Sequence, residues 1–478
     1  MSITKNYIYN VIYQVITLIV PLVTVPYISR VLGSHGIGIN AYTNSIIQYF
    51  ILFGTIGISL YGNRAIAYVR DDKENLSRTF WGIFTLQIST TLISYIVFLF
   101  FLKITGEYQN IFLLQSLFLL AAMVDVSWLF MGLEDFKKTV TRNLFVKLVG
   151  VVCIFIFVKS AQDLWKYVLI LSLSQFLGQL TLWFYIPKTI KKVKIKLNDV
   201  KTHLGPSLVL FLPQVAIQIY LVLNKTMLGY LSDTNEVGFF DNSDKIVRMA
   251  LSIVTATGVV MLPRVANTFA KGDLSKVNDY LYLSFGFASY LSFPLMFGLM
   301  GIAEQFTPWF FGPEFSKTNE IIFIISPIIV FIAWSNVIGQ QYLMPTGKMR
   351  GYTISVIVGA IINFILNLLL IPHFQSLGTS LATLIAEFTV TFVQLLFLSG
   401  QVKYKTLFAS TWKYFFSGLI MYSVIKVIGL NLNFGFITTF IQIIIGLLIY
   451  PLLLFIFKNE LNRNLFIKGL SFIKRLVK

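Results

Sequence analysis

Fourteen long apolar runs are the feature that most constrains the fold of this chain. A helix that crosses the hydrocarbon core of a membrane needs about 20 largely apolar residues. The runs are continuous rather than alternating, so they predict membrane-spanning α-helices and exclude a transmembrane β-barrel. They lie at approximately 8–29, 39–62, 80–102, 110–131, 142–159, 166–187, 207–228, 240–263, 281–305, 319–343, 352–371, 379–399, 412–430 and 436–457. Because the connections between them are short, we expect the protein to act within the membrane.

The composition agrees with this interpretation. Of the 478 residues, 56% are hydrophobic and only 12% are charged. Soluble domains carry about 25% charged residues, so a water-soluble fold of this size could not cover its surface. The single cysteine, Cys153, allows no intramolecular disulfide, and the three histidines lie far apart in the sequence. We therefore predict a polytopic membrane protein with no metal site and no cofactor.

The net charge of +18 arises from 38 Lys and Arg residues against 20 Asp and Glu residues. With fourteen spans, 29 of the 38 basic residues fall on the side that holds both termini. Basic residues are enriched on the cytoplasmic side of membrane proteins. We therefore predict a multi-pass protein of the cytoplasmic (inner or plasma) membrane with both termini in the cytoplasm. This orientation requires the positive excess, which does not indicate a nucleic-acid partner.

Two segments resemble each other at an offset of 200 residues. Val31–Ile46 and Tyr230–Ile246 align so that Gly38 falls on Gly238, and each leads into the second span of a six-span block. Six spans separate the segments, so both blocks enter the membrane in the same direction, as in a parallel repeat. The alternative is a chance likeness between short loops rich in Gly, Ser and Asn. The repeat predicts two six-helix lobes that work by alternating access.

The predicted fold is therefore all-α, with about fourteen transmembrane helices in two lobes and two additional C-terminal helices. The predicted parts are an N-lobe over 1–187, a basic cytoplasmic linker over 188–206, a C-lobe over 207–399, additional spans over 400–457 and a basic amphipathic tail over 458–478.

Charged residues inside spans are costly and usually functional or paired. Asp125 and Lys147 lie at similar depth in neighbouring spans, where they could form an ion pair or bind a substrate. Glu387 and Asp125 are candidates for coupling to a proton or another ion. For Glu387 the alternative is a carboxylate that accepts hydrogen bonds from a neighbouring helix.

We expect the two lobes to alternate around a cationic cavity, and five basic residues near span ends are candidates for binding an anionic substrate there: Arg30, Lys225, Arg248, Arg64 and Arg264. Arg30 and Lys225 occupy roughly corresponding positions in the two lobes, and so do Arg64 and Arg264. Long basic side chains also extend to the headgroups or fix orientation, which is the alternative for these positions.

Amide side chains recur at i, i+4 within spans, a spacing that puts both on one helix face. The candidates for lining a cavity are Asn44 with Gln48 and Gln214 with Gln218. Further pairs are Gln175/Gln179, Asn336/Gln340 and Asn363/Asn367. Hydrogen bonds between helices are the alternative role for all of these amides.

Four segments in order along the chain resemble motifs of Wzx-type polysaccharide repeat-unit flippases. They are Tyr27–Gly38 after the first helix, Asp125–Phe136 around the end of the fourth, Val237–Ile246 at the start of the eighth, and Pro345–Lys348 after the tenth. That family belongs to the superfamily that also holds the drug exporters of the MATE type and the lipid II flippases. Many members are described with twelve spans, so the pair over 412–457 is a departure from the family pattern.

The resemblance implies a flippase, and not an enzyme, that moves undecaprenyl-pyrophosphate-linked oligosaccharides from the inner to the outer leaflet. The saccharide would then be used for capsule, exopolysaccharide or O-antigen synthesis. The implied partners are this lipid-linked oligosaccharide and membrane lipids, with the polysaccharide polymerase and the chain-length machinery as further candidates. The alternatives are a small-molecule exporter, a lipid II-type flippase and, last, a membrane polysaccharide polymerase, which would need a large external loop with catalytic groups.

Overall fold

A computed structural model of the chain describes residues 3–256, 258–433 and 435–467. It does not describe the side chains at 3–15, 17–18, 212–214, 216–217 and 259–260. The described residues form helices joined by short turns and divide into two compact units, Met1–Gly238 and Phe239–Lys478.

The helices of the first unit are α1 (Ile3–Thr55), α2 (Ile58–Val69), α3 (Lys73–Ile104), α4 (Gln109–Met123), α5 (Ser127–Gly132), α6 (Phe136–Phe157), α7 (Leu164–Trp183), α8 (Ile186–Thr189) and α9 (Leu197–Leu231). The next helix, α10 (Thr234–Thr255), crosses the boundary between the units. The helices that follow are α11 (Gly258–Ala270), α12 (Leu274–Phe311), α13 (Lys317–Ile325), α14 (Ile328–Ser335), a π-helix (Asn336–Leu343), α15 (Met349–Leu398), α16 (Tyr404–Leu407), α17 (Thr411–Asn431) and α18 (Phe436–Ile456). Two 3₁₀ turns lie at Ala161–Asp163 and Pro313–Phe315.

The predicted all-helical membrane architecture is confirmed. Ten helical stretches of the described chain are long and apolar enough to span a membrane. α1 and α15 have 53 and 50 residues, and each contains one non-helical residue, Gly33 and Gln375. An unbroken helix of 50 residues would be about 75 Å long, more than twice the hydrocarbon thickness. Each therefore holds two spans joined at a sharp turn, and the helices are consistent with fourteen crossings.

The boundary between the two compact units lies close to the start of the eighth predicted span. The boundary falls after Gly238, and α9, which carries the seventh predicted span, packs against α1 and α3 of the first unit. The predicted basic linker at 188–206 contains the end of α8, a non-helical stretch over 190–196 and nearly the first three turns of α9. The predicted amphipathic tail lies largely outside the described residues, which end at 467.

The repeat glycines meet at a close crossing of two helices. A Cβ added to Gly38 would lie 1.6 Å from the carbonyl oxygen of Thr234, and one added to Gly238 would lie 2.2 Å from that of Ser34. Ser34 and Thr234 correspond at the offset of 200. The contact is therefore reciprocal, because each glycine meets the residue that lies four positions before the other glycine. Two equivalent residues related by a two-fold axis make this kind of self-complementary contact. The sequence similarity around these glycines therefore has a packing reason.

We expect Gly38→Ala to destabilise the protein, since the added methyl group must displace the backbone of Thr234. Overpacking of this kind costs about 1–3 kcal/mol and often more where backbone must move. The matched control is Gly286→Ala in α12, where no atom lies within 4 Å of the added group. Thermal denaturation in detergent, followed by size-exclusion chromatography, measures both variants. An unchanged melting temperature for Gly38→Ala would contradict the close crossing.

Candidate functional site

The first unit contains a cavity of about 620 Å³, which is within the usual size range of ligand sites. Its wall is formed by α1, α2, α3, α4, α5, α7 and α9. The polar side chains of this amide cavity are Gln48, Thr55, Ser59, Gln87, Asp125, Gln175, Gln179 and Gln218. Among the described residues that line it, none is a lysine or an arginine, so its wall is amide-rich rather than cationic.

The cavity forms beside a break between α1 and α2. The backbone turns there through Ile56 and Gly57, whose φ angles are +38° and +76°, and glycine adopts the latter without strain. Thr90 of α3 donates a hydrogen bond to the carbonyl oxygen of Gly54 at 2.7 Å. Ser207 of α9 donates to the carbonyl oxygen of Ile56 at 2.6 Å. Hydroxyl groups of neighbouring helices therefore satisfy carbonyls that the break releases inside the membrane.

A second break, over residues 124–126, separates α4 from α5 on another side of the cavity. The amide nitrogen of Gln87 donates to the carbonyl oxygens of Ala122 and Asp125, at 2.7 and 2.9 Å. The amide oxygen of Gln87 accepts a hydrogen bond from the indole of Trp128 at 3.0 Å. Both ends of this amide are thus engaged in holding the break. Gln87 lines the cavity, but its hydrogen bonds to the break make it part of the scaffold.

A chain of hydrogen bonds joins a carboxylate to a guanidinium at the cavity wall. The backbone N–H of Ser127 donates to Asp125 Oδ1 at 2.8 Å. The hydroxyl of Ser127 accepts from Arg142 Nη2 at 3.2 Å, and Arg142 Nη1 donates to Gln179 Oε1 at 2.5 Å. With its oxygen engaged by Arg142, Gln179 has its amide N–H groups left to offer a ligand.

Arg142 is not among the site residues predicted from the sequence. Its predicted span begins at 142, so the residue counted among the cytoplasmic loop charges. The helix α6 begins at Phe136, which places Arg142 nearly two turns inside it. The motif that includes Asp125 and Ser127 gave no indication of a partner on the next helix. An earlier start of that span would have marked Arg142 as a charge within a membrane helix.

Three of the predicted site residues, Gln48, Asp125 and Gln218, line the amide cavity. Asn44 is half-buried one turn along α1 and is not among the lining residues. The side chain of Gln214 lies outside the part of the structure that is described. The pair Gln175/Gln179 does line the cavity from α7, as its i, i+4 spacing allows.

The predicted basic site residues are not among the described residues that line the amide cavity. Arg30, Arg64 and Arg264 are exposed, and Lys147 and Lys225 are half-buried. The guanidinium of Arg64 donates to the hydroxyl of Tyr68, one turn along α2, at 2.9 Å.

The remaining charged candidates are distributed over both units. In the first unit, Asp125 follows α4 and Lys147 lies in α6. Both of these helices pack against α7. In the second, Arg248 forms an ion pair with Asp244 at 2.8 Å on the same helix, and Glu387 is buried in α15. The amide pair Asn363/Asn367 is hydrogen-bonded within α15 at 3.1 Å.

We expect Gln87→Leu to destabilise the fold, because the carbonyl of Ala122 loses its side-chain donor, and the Trp128 indole and the Asp125 carbonyl keep only each other as partners. An unsatisfied buried polar group costs about 1–3 kcal/mol. The control is Gln175→Leu, which removes an amide from the same cavity at an exposed position of α7. Chemical denaturation in detergent should lower the midpoint for Gln87→Leu only. Equal midpoints for the two variants would argue against a scaffold role for Gln87.

The long apolar helices and the polar cavity between them define a multi-pass membrane protein with an internal polar cavity. The family model described as "Polysaccharide biosynthesis protein" matches residues 3–269, and the chain belongs to this family. The resemblance to Wzx-type flippases in the sequence is thereby confirmed.

Relatives and solved structures extend this result. The chain is 24% identical over 408 residues to the "Putative O-antigen transporter" of Escherichia coli strain K12, covering 84% of this chain and 98% of that protein. A structure of the lipid II flippase MurJ, in an inward closed conformation, matches with a TM-score of 0.78 at 16% identity, over 94% of this chain and 99% of that one. An inward-facing MATE family multidrug transporter matches with a TM-score of 0.59 at 13% identity, over 80% of this chain and 98% of that one. At these identities the two structures support the fold alone.

Proposed function

We propose that this protein is a flippase for undecaprenyl-pyrophosphate-linked oligosaccharide repeat units, which it moves from the inner to the outer leaflet of the cytoplasmic membrane. The saccharide would serve capsule, exopolysaccharide or O-antigen synthesis. The observation that carries the proposal is an amide-rich cavity between apolar helices in a member of the polysaccharide biosynthesis protein family.

The substrate has a long apolar chain, a charged diphosphate and a polar saccharide. The last two must be shielded from hydrocarbon, where an unsatisfied polar group costs several kcal/mol. Gln48, Gln175, Gln179 and Gln218 offer both donors and acceptors to the cavity, and Asp125 offers a strong acceptor. Amides bond to hydroxyl groups in many arrangements, so such a wall suits a saccharide of varied composition.

Arg142 is the cation that we assign to the electrostatics of this cavity. It touches Gln179, a lining residue, and stands two hydrogen bonds from Asp125 through Ser127. In surroundings of low dielectric its charge acts on the cavity at short range. Arg30, Lys225, Arg64, Arg248, Arg264 and Lys147 are further candidates for contact with the diphosphate. Asp125 and Glu387 are the candidate groups for coupling transport to an ion.

A small-molecule exporter is the second candidate function. Asp125 is the charged side chain among the described lining residues of the amide cavity, and a carboxylate favours a cationic ligand. The exporter and the flippase therefore differ in the charge of the substrate that they transport. The same purified protein can be tested for both.

The test uses the full chain in liposomes that carry a fluorescent polyprenyl-diphosphate saccharide. Transfer between leaflets is scored by loss of fluorescence after a membrane-impermeant quencher is added. We expect the protein to accelerate transfer well above empty liposomes, and a lipid II analogue to be transferred more slowly. Acceleration of a fluorescent organic cation, with none for the lipid-linked saccharide, would support the exporter and reject the flippase.

Arg142→Gln should lower the transfer rate by about tenfold or more, because it removes a charge-assisted hydrogen bond worth about 1.5–3 kcal/mol. Arg142→Lys should retain part of the activity, since it keeps the charge and loses the forked geometry. Lys137→Gln, at an exposed position of the same helix, is the matched control. Wild-type transfer by Arg142→Gln at equal protein content would remove Arg142 from the site.

A further inference from the structure

The first unit holds a second cavity of about 560 Å³ near the turn that precedes α4. We name it the tyrosine cavity. Its side chains come from α1, from the turn after α3, from α4, and from the end of α9 through the start of α10. They are His35, Tyr42, Thr105, Glu107, Tyr108 and Phe112 together with Tyr230, Ser232, Asp233, Thr234 and Asn235. Among the described lining residues, two are carboxylates and none is a lysine or an arginine.

The tyrosine cavity is built rather than incidental. A Cβ at Gly229 would lie 2.2 Å from the ring of Tyr42, so only glycine lets this ring lie against α9. Tyr108 has a positive φ of 56°, an uncommon conformation for a tyrosine, and packs on the buried ring of Phe112 and its cluster. Thr234 Oγ1 and His35 Nδ1 are 2.8 Å apart and join the α10 end of the cavity to α1.

Its two carboxylates are held differently. Asp233 Oδ1 accepts hydrogen bonds from the backbone N–H groups of Asn235 and Glu236, at 2.7 and 3.1 Å, as an N-terminal cap of α10. The second carboxylate oxygen of Asp233, Oδ2, takes no part in these two hydrogen bonds. The side chain of Glu107 is exposed beside Tyr108. Both groups can therefore accept hydrogen bonds from a ligand that enters the cavity.

The same helices connect this cavity to the amide cavity. His35 and Tyr42 precede Gln48 and Thr55 by thirteen residues on α1, a rise of about 20 Å. Between the two, α1 and α9 are joined by a hydrogen bond between the hydroxyls of Ser45 and Thr226 at 2.8 Å. The two cavities thus lie in line along one pair of helices, with a closed contact between them.

We propose that the tyrosine cavity is a second saccharide-binding site, which receives the sugar of the lipid-linked substrate after it leaves the amide cavity. Aromatic rings present flat apolar faces to the C–H groups of a sugar, and carboxylates accept bonds from its hydroxyls. The two carboxylates repel a diphosphate, so the site selects the saccharide and not the charged linker. This proposal rests on the proposed flippase function and, on the predicted topology, places the site toward the outer face.

The test measures binding of a soluble probe, the oligosaccharide released by mild acid from the lipid-linked saccharides of the host cell. Saturation-transfer NMR on the purified full chain gives the affinity. The double variant Tyr42→Leu with Tyr108→Leu should weaken the affinity of the probe for the tyrosine cavity by about tenfold. The double variant Glu107→Gln with Asp233→Asn should have the same effect. An asparagine at position 233 still caps α10, so the second variant should keep this helix folded. Gln175→Leu should instead weaken the affinity of the probe for the amide cavity.

The matched control is Glu74→Gln with Asp71→Asn, two exposed carboxylates outside both cavities. Unchanged binding by both cavity variants, or no binding of the probe to the wild type at millimolar concentration, would overturn the second site. Binding of an organic cation in place of the saccharide would overturn it as well. The liposome assay separates the two proposals, because failure of transfer rejects the flippase, whereas normal transfer without this binding rejects only the tyrosine cavity.

Discussion

Carbonyl groups released at helix breaks are the constraint on which the architecture of the first unit depends. Within hydrocarbon no water can bind them, so a broken helix is tolerated only where neighbouring side chains donate to the backbone. One face of α3 supplies donors to both breaks. Thr90 and Ser94 bond to Gly54 and Phe50 beside the first break, and Gln87 bonds across the second. The helix α3 therefore holds both breaks and forms part of the cavity wall between them.

The chemistry of the cavity follows from the cost of burying charge. A lone ion in a membrane helix is expensive, whereas an amide can be satisfied by a few neutral hydrogen bonds. Asp125 and Arg142 are therefore not isolated, since Ser127 bonds to both of them. Amides fill most of the remaining polar wall. Such a wall can exchange hydrogen bonds with a saccharide without first breaking a strong ion pair.

The sequence predicts the helices well because every membrane span must be apolar over its whole length. Each of the fourteen predicted runs lies on helical structure, apart from undescribed residues and the short breaks. The repeat also predicts the pairing of Gly38 with Gly238, although not that the two glycines touch. The wall of the amide cavity was predicted less completely. Gln48, Asp125 and Gln218, which line it, were selected because polar residues stand out in apolar runs, whereas Arg142, which bonds to the lining residue Gln179, was not selected because hydropathy blurs helix ends.

The scaffold residues were harder still to predict. Gln87 and Thr90 look like any polar residues of a membrane helix until the breaks that they satisfy are known. A break in turn depends on tertiary contacts, as at residues 124–126, where no proline or glycine marks it. The carbonyl of Val124 is bonded by the indole of Trp183, which lies 59 residues away in the chain. Local sequence carries no signal for a contact of that separation.

The second unit differs from the first at the positions that correspond to the break-holding residues. At the offset of 200, the break-holding residues Gln87, Thr90 and Ser94 of α3 correspond to Phe287, Tyr290 and Pro294 of α12. The corresponding stretch of α12 is thus largely aromatic and packs with α17 and α18 in a core of buried aromatic and aliphatic side chains. The hydroxyl of Tyr450 on α18 donates to the carbonyl oxygen of Tyr290 at 3.0 Å, one turn before Pro294. At these positions α3 therefore holds the breaks of a polar cavity in the first unit, whereas α12 packs against two further helices in the second.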